Sequence, residues 1–185
     1  MDISRKINRL RIVPLDAEHT GEINSTDGTF AVSSHLVLKT ENNSISYEVE
    51  QVTEAYTKSY LDYDIDYTPY IEGKDHAAYL AYFGQDLAGH IVIRKNWNRF
   101  CYIEDIRVEA KYRGMGVGKK LMDTAIAWAK QGDMPGMMVE TQDNNIPAVR
   151  FYERCGFQLG GFDRNLYKGV NPKSIEVALF WYLLF

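Results

Sequence analysis

The chain has 185 residues, 45% of them apolar and 25% charged, with a formal net charge of -4. That length holds one well-packed domain, and the composition is that of a folded protein, which excludes a disordered chain. An acidic balance speaks against a nucleic-acid partner, which would call for a basic face, and favours cationic partners.

Residues 1–11 scatter Arg5, Lys6, Arg9 and Arg11 among isolated apolar residues, so they lack the apolar core of a signal peptide. No run reaches the roughly 20 apolar residues that span a bilayer. A cytoplasmic protein without a membrane partner is expected. Cys101 and Cys155 have neither metal spacing nor a disulfide framework, and both read as reduced packing residues.

Taken in order, residues 1–28 are polar and punctuated by Gly21, Asn24, Ser25 and Gly28, which predicts an irregular lead-in to a single domain over 1–185. Residues 36–40 and 45–50 read as two strands around a turn at Glu41, Asn42, Asn43 and Ser44. A tyrosine-rich stretch follows, with eight acidic residues and two lysines between Glu48 and Asp75. It is either a solvated acidic loop or a local negative field. Residues 77–83 and 87–94 form a hairpin turning at Gly84, Gln85 and Asp86, and Trp97, Asn98 and Arg99 turn the chain into a strand over 100–108. Leu121, Met122, Ala125, Ile126 and Ala129 then fall at helical spacing. Gly132, Pro135 and Gly136 stop that helix, and 137–140 is a short buried strand. A second helix runs over Ile146–Arg154 with Pro147 in its first turn and Gly156 closing it. Residues 157–162 and 176–185 make a last strand pair. His19, His35, His76 and His90 have no ligand spacing and read as surface or edge-strand residues, so no metal is expected.

The turn before the first long helix carries Arg113, Gly114, Met115, Gly116, Val117, Gly118 and Lys119. Glycine at alternate positions lets backbone approach a ligand, and the free N–H groups of the helix start can face an anion. Neither better-known phosphate loop fits. Arg113 stands where a P-loop needs its first glycine, and Lys119 where the dinucleotide fingerprint needs its third.

Arg113, Gly116 and Gly118 match Arg/Gln-x-x-Gly-x-Gly/Ala, which resembles the pyrophosphate loop of the GNAT superfamily of acetyl-CoA-dependent N-acetyltransferases. Asn145, Ala148, Tyr152, Gly156 and Phe157 resemble its second signature, in the expected order. The resemblance implies an α/β fold: a mixed, mostly antiparallel sheet with helices on both faces, and two splayed parallel strands, here 100–108 and 137–140, that hold the CoA arm. Residues 94–99, 102–106, 140–145 and 180–183 look in turn like streptothricin acetyltransferases, a likeness that covers residues 77–185.

Acetyl transfer from a thioester to an amine needs a neutral amine, a polarised carbonyl and a proton for the leaving thiolate. The resemblance implies that acetyl-CoA lies along Ile106, Arg107 and Val108, with its carbonyl oxygen on a backbone N–H near Val108 at a strand bulge. Its pyrophosphate would lie on the amides of Arg113, Gly114, Met115, Gly116, Val117 and Gly118, with Lys119 nearby for charge. Tyr152 sits where the family has its general acid, or else packs its helix. Asn145 bonds the pantetheine or caps its helix. Family strands carry an acidic residue near Glu104, making it the favoured base; otherwise it pairs with Arg94 or Lys95. Glu104 and Asp105 are adjacent and face opposite sides of the sheet, Asp105 sharing its face with Ile103 and Arg107.

The expected function is acetylation of a streptothricin amine on the β-lysine part, which inactivates the antibiotic, with Asp62, Asp64, Asp66 and Asp105 attracting the cationic acceptor. The alternatives are another cationic small molecule, a protein N-terminus, or a regulatory domain that binds acyl-CoA without turnover. The aromatic ending over 180–185 either completes the sheet or meets a second copy in a homodimer.

Overall fold

The computed structural model describes residues 10–59 and 65–185. In chain order the elements are β1 (Leu10–Pro14), α1 (Thr20–Ser25), β2 (Phe30–Glu41), β3 (Ser44–Lys58), α2 (Thr68–Glu72), β4 (His76–Phe83), β5 (Asp86–Lys95) and β6 (Cys101–Val108). They continue with α3 (Val117–Gln131), β7 (Gly136–Gln142), α4 (Ile146–Arg154), β8 (Gln158–Asp163) and β9 (Ala178–Leu184). The fold is mixed α/β with mostly antiparallel strand pairs, as the sequence predicts. The chain divides into two compact units, Met1–Gly28 with Leu61–Met137 and Thr29–Tyr60 with Met138–Phe185.

In the first unit the strands run in the order β1-β4-β5-β6, each antiparallel to the next. The predicted hairpin forms, Gly84 turning it at φ 71°, and Arg99 takes the turn into β6 at φ 71°. Helix α3 buries Leu121, Met122, Ala125 and Ala129 of the expected stripe and adds Val117, while Ile126 is half-buried. An apolar stripe of this kind is what holds a helix on a sheet, and emptying one such position costs about 2–5 kcal/mol.

The lead-in corrects the sequence reading. Its described part is ordered: β1 pairs with β4 from Leu10↔Phe83 to Pro14↔Tyr79, and α1 plugs Ile23 into the core at 1% exposure. Ile23 and Leu15 cluster there with Tyr67, Ala78, Leu80 and Val92. Widely spaced anchors among polar residues are enough to order a short segment when other elements supply the rest of the core. Residues 1–9 lie outside the described residues.

In the second unit β2 and β3 form a long hairpin that outruns the predicted strands at both ends. Asn42 and Asn43 make its two-residue turn, both at positive φ (48° and 61°), the twist a tight hairpin needs and asparagine tolerates. Strands β7, β9 and β8 lie in that order, with β8 and β9 antiparallel. β7 reaches Gln142, past the predicted 137–140, and four of its residues in a row, 136–139, are buried. Helix α4 keeps its predicted bounds, and Gly156 beyond it turns the chain at φ 91°.

Candidate active site

The glycine turn hangs between two anchors in the first unit. A 3-10 turn at Ala110–Tyr112 precedes it, with the Tyr112 ring stacked on Phe83 at 5.4 Å and its hydroxyl donating to Asp86 at 2.6 Å. Arg113 Nε donates to the Val108 carbonyl at 2.9 Å, so this side chain ties the loop to the end of β6. Gly114 and Gly116 have φ of 74° and 86°, and a Cβ on either would meet nothing within 4 Å. Open space over a left-handed backbone, followed directly by the uncapped start of α3, is the form a pyrophosphate requires. The residues present therefore fit the phosphates of CoA. Lys119 reaches along the helix to pair with Asp123.

Strand β6 holds the acidic pair. Its register against β5 shifts between Val92 and Ile93, which face Asp105 and Ile103, so Glu104 is the extra residue of a bulge. Strict alternation breaks at Glu104, and from Asp105 to Val108 the register against β5 runs unbroken. Near Val108 the feature is close approach: a Cβ on Gly89 would lie 2.3 Å from the Arg107 carbonyl oxygen, so only glycine fits. Glu104 accepts from Arg94 Nε at 2.8 Å and from the Tyr70 hydroxyl at 2.5 Å. The expected alternative pairing with Arg94 is thus present. The Tyr70 hydroxyl, half-buried and bonded to that carboxylate, is held well above its ordinary range, the loss of water contributing most.

Asp105 and Arg107 share a face, as expected, and the carboxylate meets Arg107 Nε at 2.9 Å. His90 corrects the sequence reading. It is fully buried, with Nε2 3.0 Å from Asp105 Oδ2 and Nδ1 3.0 Å from Thr26 Oγ1. Burial alone would raise the Asp105 pKa, but the His90 bond and the His90 and Arg107 charges outweigh it and hold the carboxyl below its ordinary value. The Arg107 side chain turns back to Thr26, its Nη1 donating to that carbonyl at 3.2 Å. The Arg107 side chain is thus engaged with Thr26 and Asp105.

In the second unit Asn145 caps α4, its Oδ1 accepting from the Ala148 amide at 3.2 Å. Tyr152 is 5% exposed, its ring edge-on to Phe151 at 5.5 Å and tilted on Phe157 at 5.7 Å. Before α4, Thr141, Gln142, Asp143, Asn144 and Asn145 are all buried, an unusual run of polar side chains. Asp143 is pinned at both ends, accepting from the Val177 amide with its side chain and from the Leu36 amide with its carbonyl. The sequence reading used this run only as a resemblance and missed its burial.

Of the acidic stretch, Asp62 and Asp64 lie outside the described residues. Asp66 Oδ1 accepts from the Thr68 amide at 2.9 Å, and that bond lowers its pKa. It sits at the entry to α2.

Residues 45–157 match the acetyltransferase (GNAT) family. The chain belongs to this family. Among its relatives is streptothricin acetyltransferase A of Bacillus subtilis (strain 168), 40% identical over 164 residues, which cover 89% of this chain and 94% of the relative. A streptothricin acetyltransferase of Escherichia coli is 38% identical over 152 residues, covering 78% and 87%. A solved structure described as a streptothricin acetyltransferase from Bacillus anthracis str. Ames in complex with acetyl coenzyme A is 45% identical, with a TM-score of 0.87 over 95% of this chain and 97% of that one. Nourseothricin acetyltransferase superposes at 0.81 with 28% identity, covering 95% and 98%. The GNAT fold inferred from two short motifs thus extends over nearly the whole chain, which is an acetyl-CoA-dependent N-acetyltransferase. Among the described residues, no helix is long and apolar enough to cross a membrane.

Proposed function

We propose that this GNAT enzyme acetylates streptothricin, on an amine of its β-lysine part, and so inactivates the antibiotic. The observation that carries the reading is the match to streptothricin acetyltransferases along nearly the full length of both chains, beyond the motifs all acetyltransferases share.

Acetyl-CoA supplies an acyl group activated as a thioester. In the overall transfer the acceptor nitrogen bonds to the acetyl carbon, the carbon–sulfur bond breaks, the nitrogen gives up a proton and the thiolate takes one. The loop amides from Arg113 to Gly118 hold the pyrophosphate, and the Val108 amide polarises the carbonyl. Glu104 draws the proton from the attacking amine, directly or through water, and Tyr152 returns one to the thiolate. What supports these roles is an open left-handed glycine loop, a carboxylate on the β6 bulge, and a tyrosine at the motif position on α4. Asp62, Asp64 and Asp66 steer the cationic acceptor, and Asp105 helps hold it.

An acceptor screen with acetyl-CoA, read as release of free thiol, tests this function. Streptothricin should exceed simple amines and peptide N-termini as acceptor. Preference for a peptide N-terminus would replace this reading, and thiol release with none of them would leave it without support.

A further inference from the structure

Within the first unit the Glu104 carboxylate is held from two elements besides its own. Arg94 Nε on β5 donates to Oε1 at 2.8 Å, and the Tyr70 hydroxyl on α2 donates to Oε2 at 2.5 Å. Each oxygen thus has a donor of its own, and a carboxylate oxygen has room for a second bond. Arg94 is fixed in turn, its Nη1 donating to Asn96 Oδ1 at 2.9 Å and its guanidinium lying 4.9 Å from the centre of the Tyr102 ring. A bulge residue needs such a clamp. Glu104 is the extra residue where β6 shifts register against β5, so strand alternation does not set the direction of its side chain.

Tyr70 is itself well anchored. Tyr67, one turn earlier, belongs to the buried cluster around Ile23 and Leu80, and Tyr70 packs against that cluster. The Tyr70 ring lies 5.7 Å from that of Tyr67 and edge-on to His76 at 5.1 Å. The helix closes tightly behind it, where a Cβ on Gly73 would lie 2.2 Å from the Pro69 carbonyl oxygen. Loss of water and the bond to Glu104 keep the proton on the Tyr70 hydroxyl against the opposing charge of Arg94, so this group is a donor and not a second base.

We propose that Tyr70 is a positioning residue for the acetyl transfer, which with Arg94 fixes the direction of the Glu104 carboxylate toward the attacking amine. The inference rests on the reading of Glu104 as the base, and deepens it by naming what aims that base. Glu104 takes the proton of the amine, while Tyr70 keeps its own and acts only through the carboxylate. The tyrosine-rich stretch, which the sequence reading used only for its charge, thereby supplies a working part of the site.

The test is a double-mutant cycle of Tyr70→Phe and Glu104→Gln, read by steady-state kinetics with streptothricin as acceptor. Tyr70→Phe keeps the ring contacts with Tyr67 and His76 and removes the donor. Its kcat should fall about tenfold, a part of what misplacing a reacting group by about 1 Å can cost, with the KM of acetyl-CoA and of the acceptor unchanged. In the Glu104→Gln background the same change should lower kcat less than about twofold, because no base is left to aim. Should Tyr70→Phe fold poorly, as read from its melting temperature, Arg94→Lys carries the same cycle from the other oxygen, keeping the charge and losing the planar fork. Parent kcat in Tyr70→Phe, a change confined to acceptor KM, or an equal fall with and without Glu104 overturns the positioning role. A Glu104→Gln enzyme at the parent rate is a separate result, which removes the base itself and the inference with it. If streptothricin is not acetylated, the cycle is run with the simple amine or peptide that the thiol-release screen selects, and the same outcomes decide it.

Discussion

His90 Nε2 lies 3.0 Å from Asp105 Oδ2, and the same oxygen is 2.9 Å from Arg107 Nε. A fully buried ring on β5 therefore clamps the carboxylate next to the proposed base on β6. Removing His90 leaves a cavity and takes a hydrogen bond from a charged, largely enclosed group. His90→Ala should lower stability by about 2–4 kcal/mol, read from denaturant midpoints. The Asp105 pKa is depressed from 3.8 in the folded state, so its contribution is present above that value and is lost as pH falls through the lower folded pKa. The parent should therefore lose more stability than Asp105→Asn does over that acid range.

Gly116 and Gly84 provide a matched pair for the phosphate loop. Both have positive φ, and a Cβ on either meets no protein atom within 4 Å. Alanine at either site should cost about 1 kcal/mol of backbone strain. Only Gly116→Ala should also weaken acetyl-CoA, by about tenfold or more in calorimetry, because only there does the added carbon face the phosphates. Equal acetyl-CoA affinity in the two variants would remove the loop assignment.

Tyr152→Phe keeps the ring contacts with Phe151 and Phe157 and deletes the hydroxyl. Turnover should fall roughly 100-fold, the scale of one acid–base group. A full-rate variant, under conditions where chemistry limits turnover, contradicts the acid role.

Glu104→Gln should lower the rate most at low pH, where few acceptor amines are neutral. It also removes the charge that pairs with Arg94, so the partner control is Arg94→Gln. A role limited to that ion pair would make both variants behave alike across pH, whereas a base role makes Glu104→Gln the more damaging.

Asn145→Ala separates capping from ligand contact. Loss of its bond to the Ala148 amide should cost about 1 kcal/mol. An added rise in acetyl-CoA KM would place a ligand contact on Asn145 as well.

The parts of this molecule that were readable in the sequence have strong local chemistry: the glycine turn, the stripe of α3, the Pro147 start and Gly156 end of α4, and the paired asparagines of the β2–β3 turn. Order around Ile23 escaped notice because one buried residue in a six-residue helix has no period to detect. His90 was misplaced because β5 is buried continuously from Ala88 to Ile93, and a strand covered on both faces does not alternate. The bulge at Glu104 was invisible because register belongs to the strand pair and not to either strand. Burial of the run from Thr141 to Asn145 depends on partners distant in sequence, such as Tyr56, Val177 and Glu176.

The central claim is the identity of the acceptor and of its reacting amine. Incubating the enzyme with streptothricin and acetyl-CoA, then fragmenting the product by mass spectrometry, tests it most directly. The account predicts one added acetyl group, carried on the β-lysine fragment, and loss of antibiotic action in the product. Unmodified streptothricin under conditions where free thiol is released to another amine would contradict it, as would an acetyl group found on a different fragment.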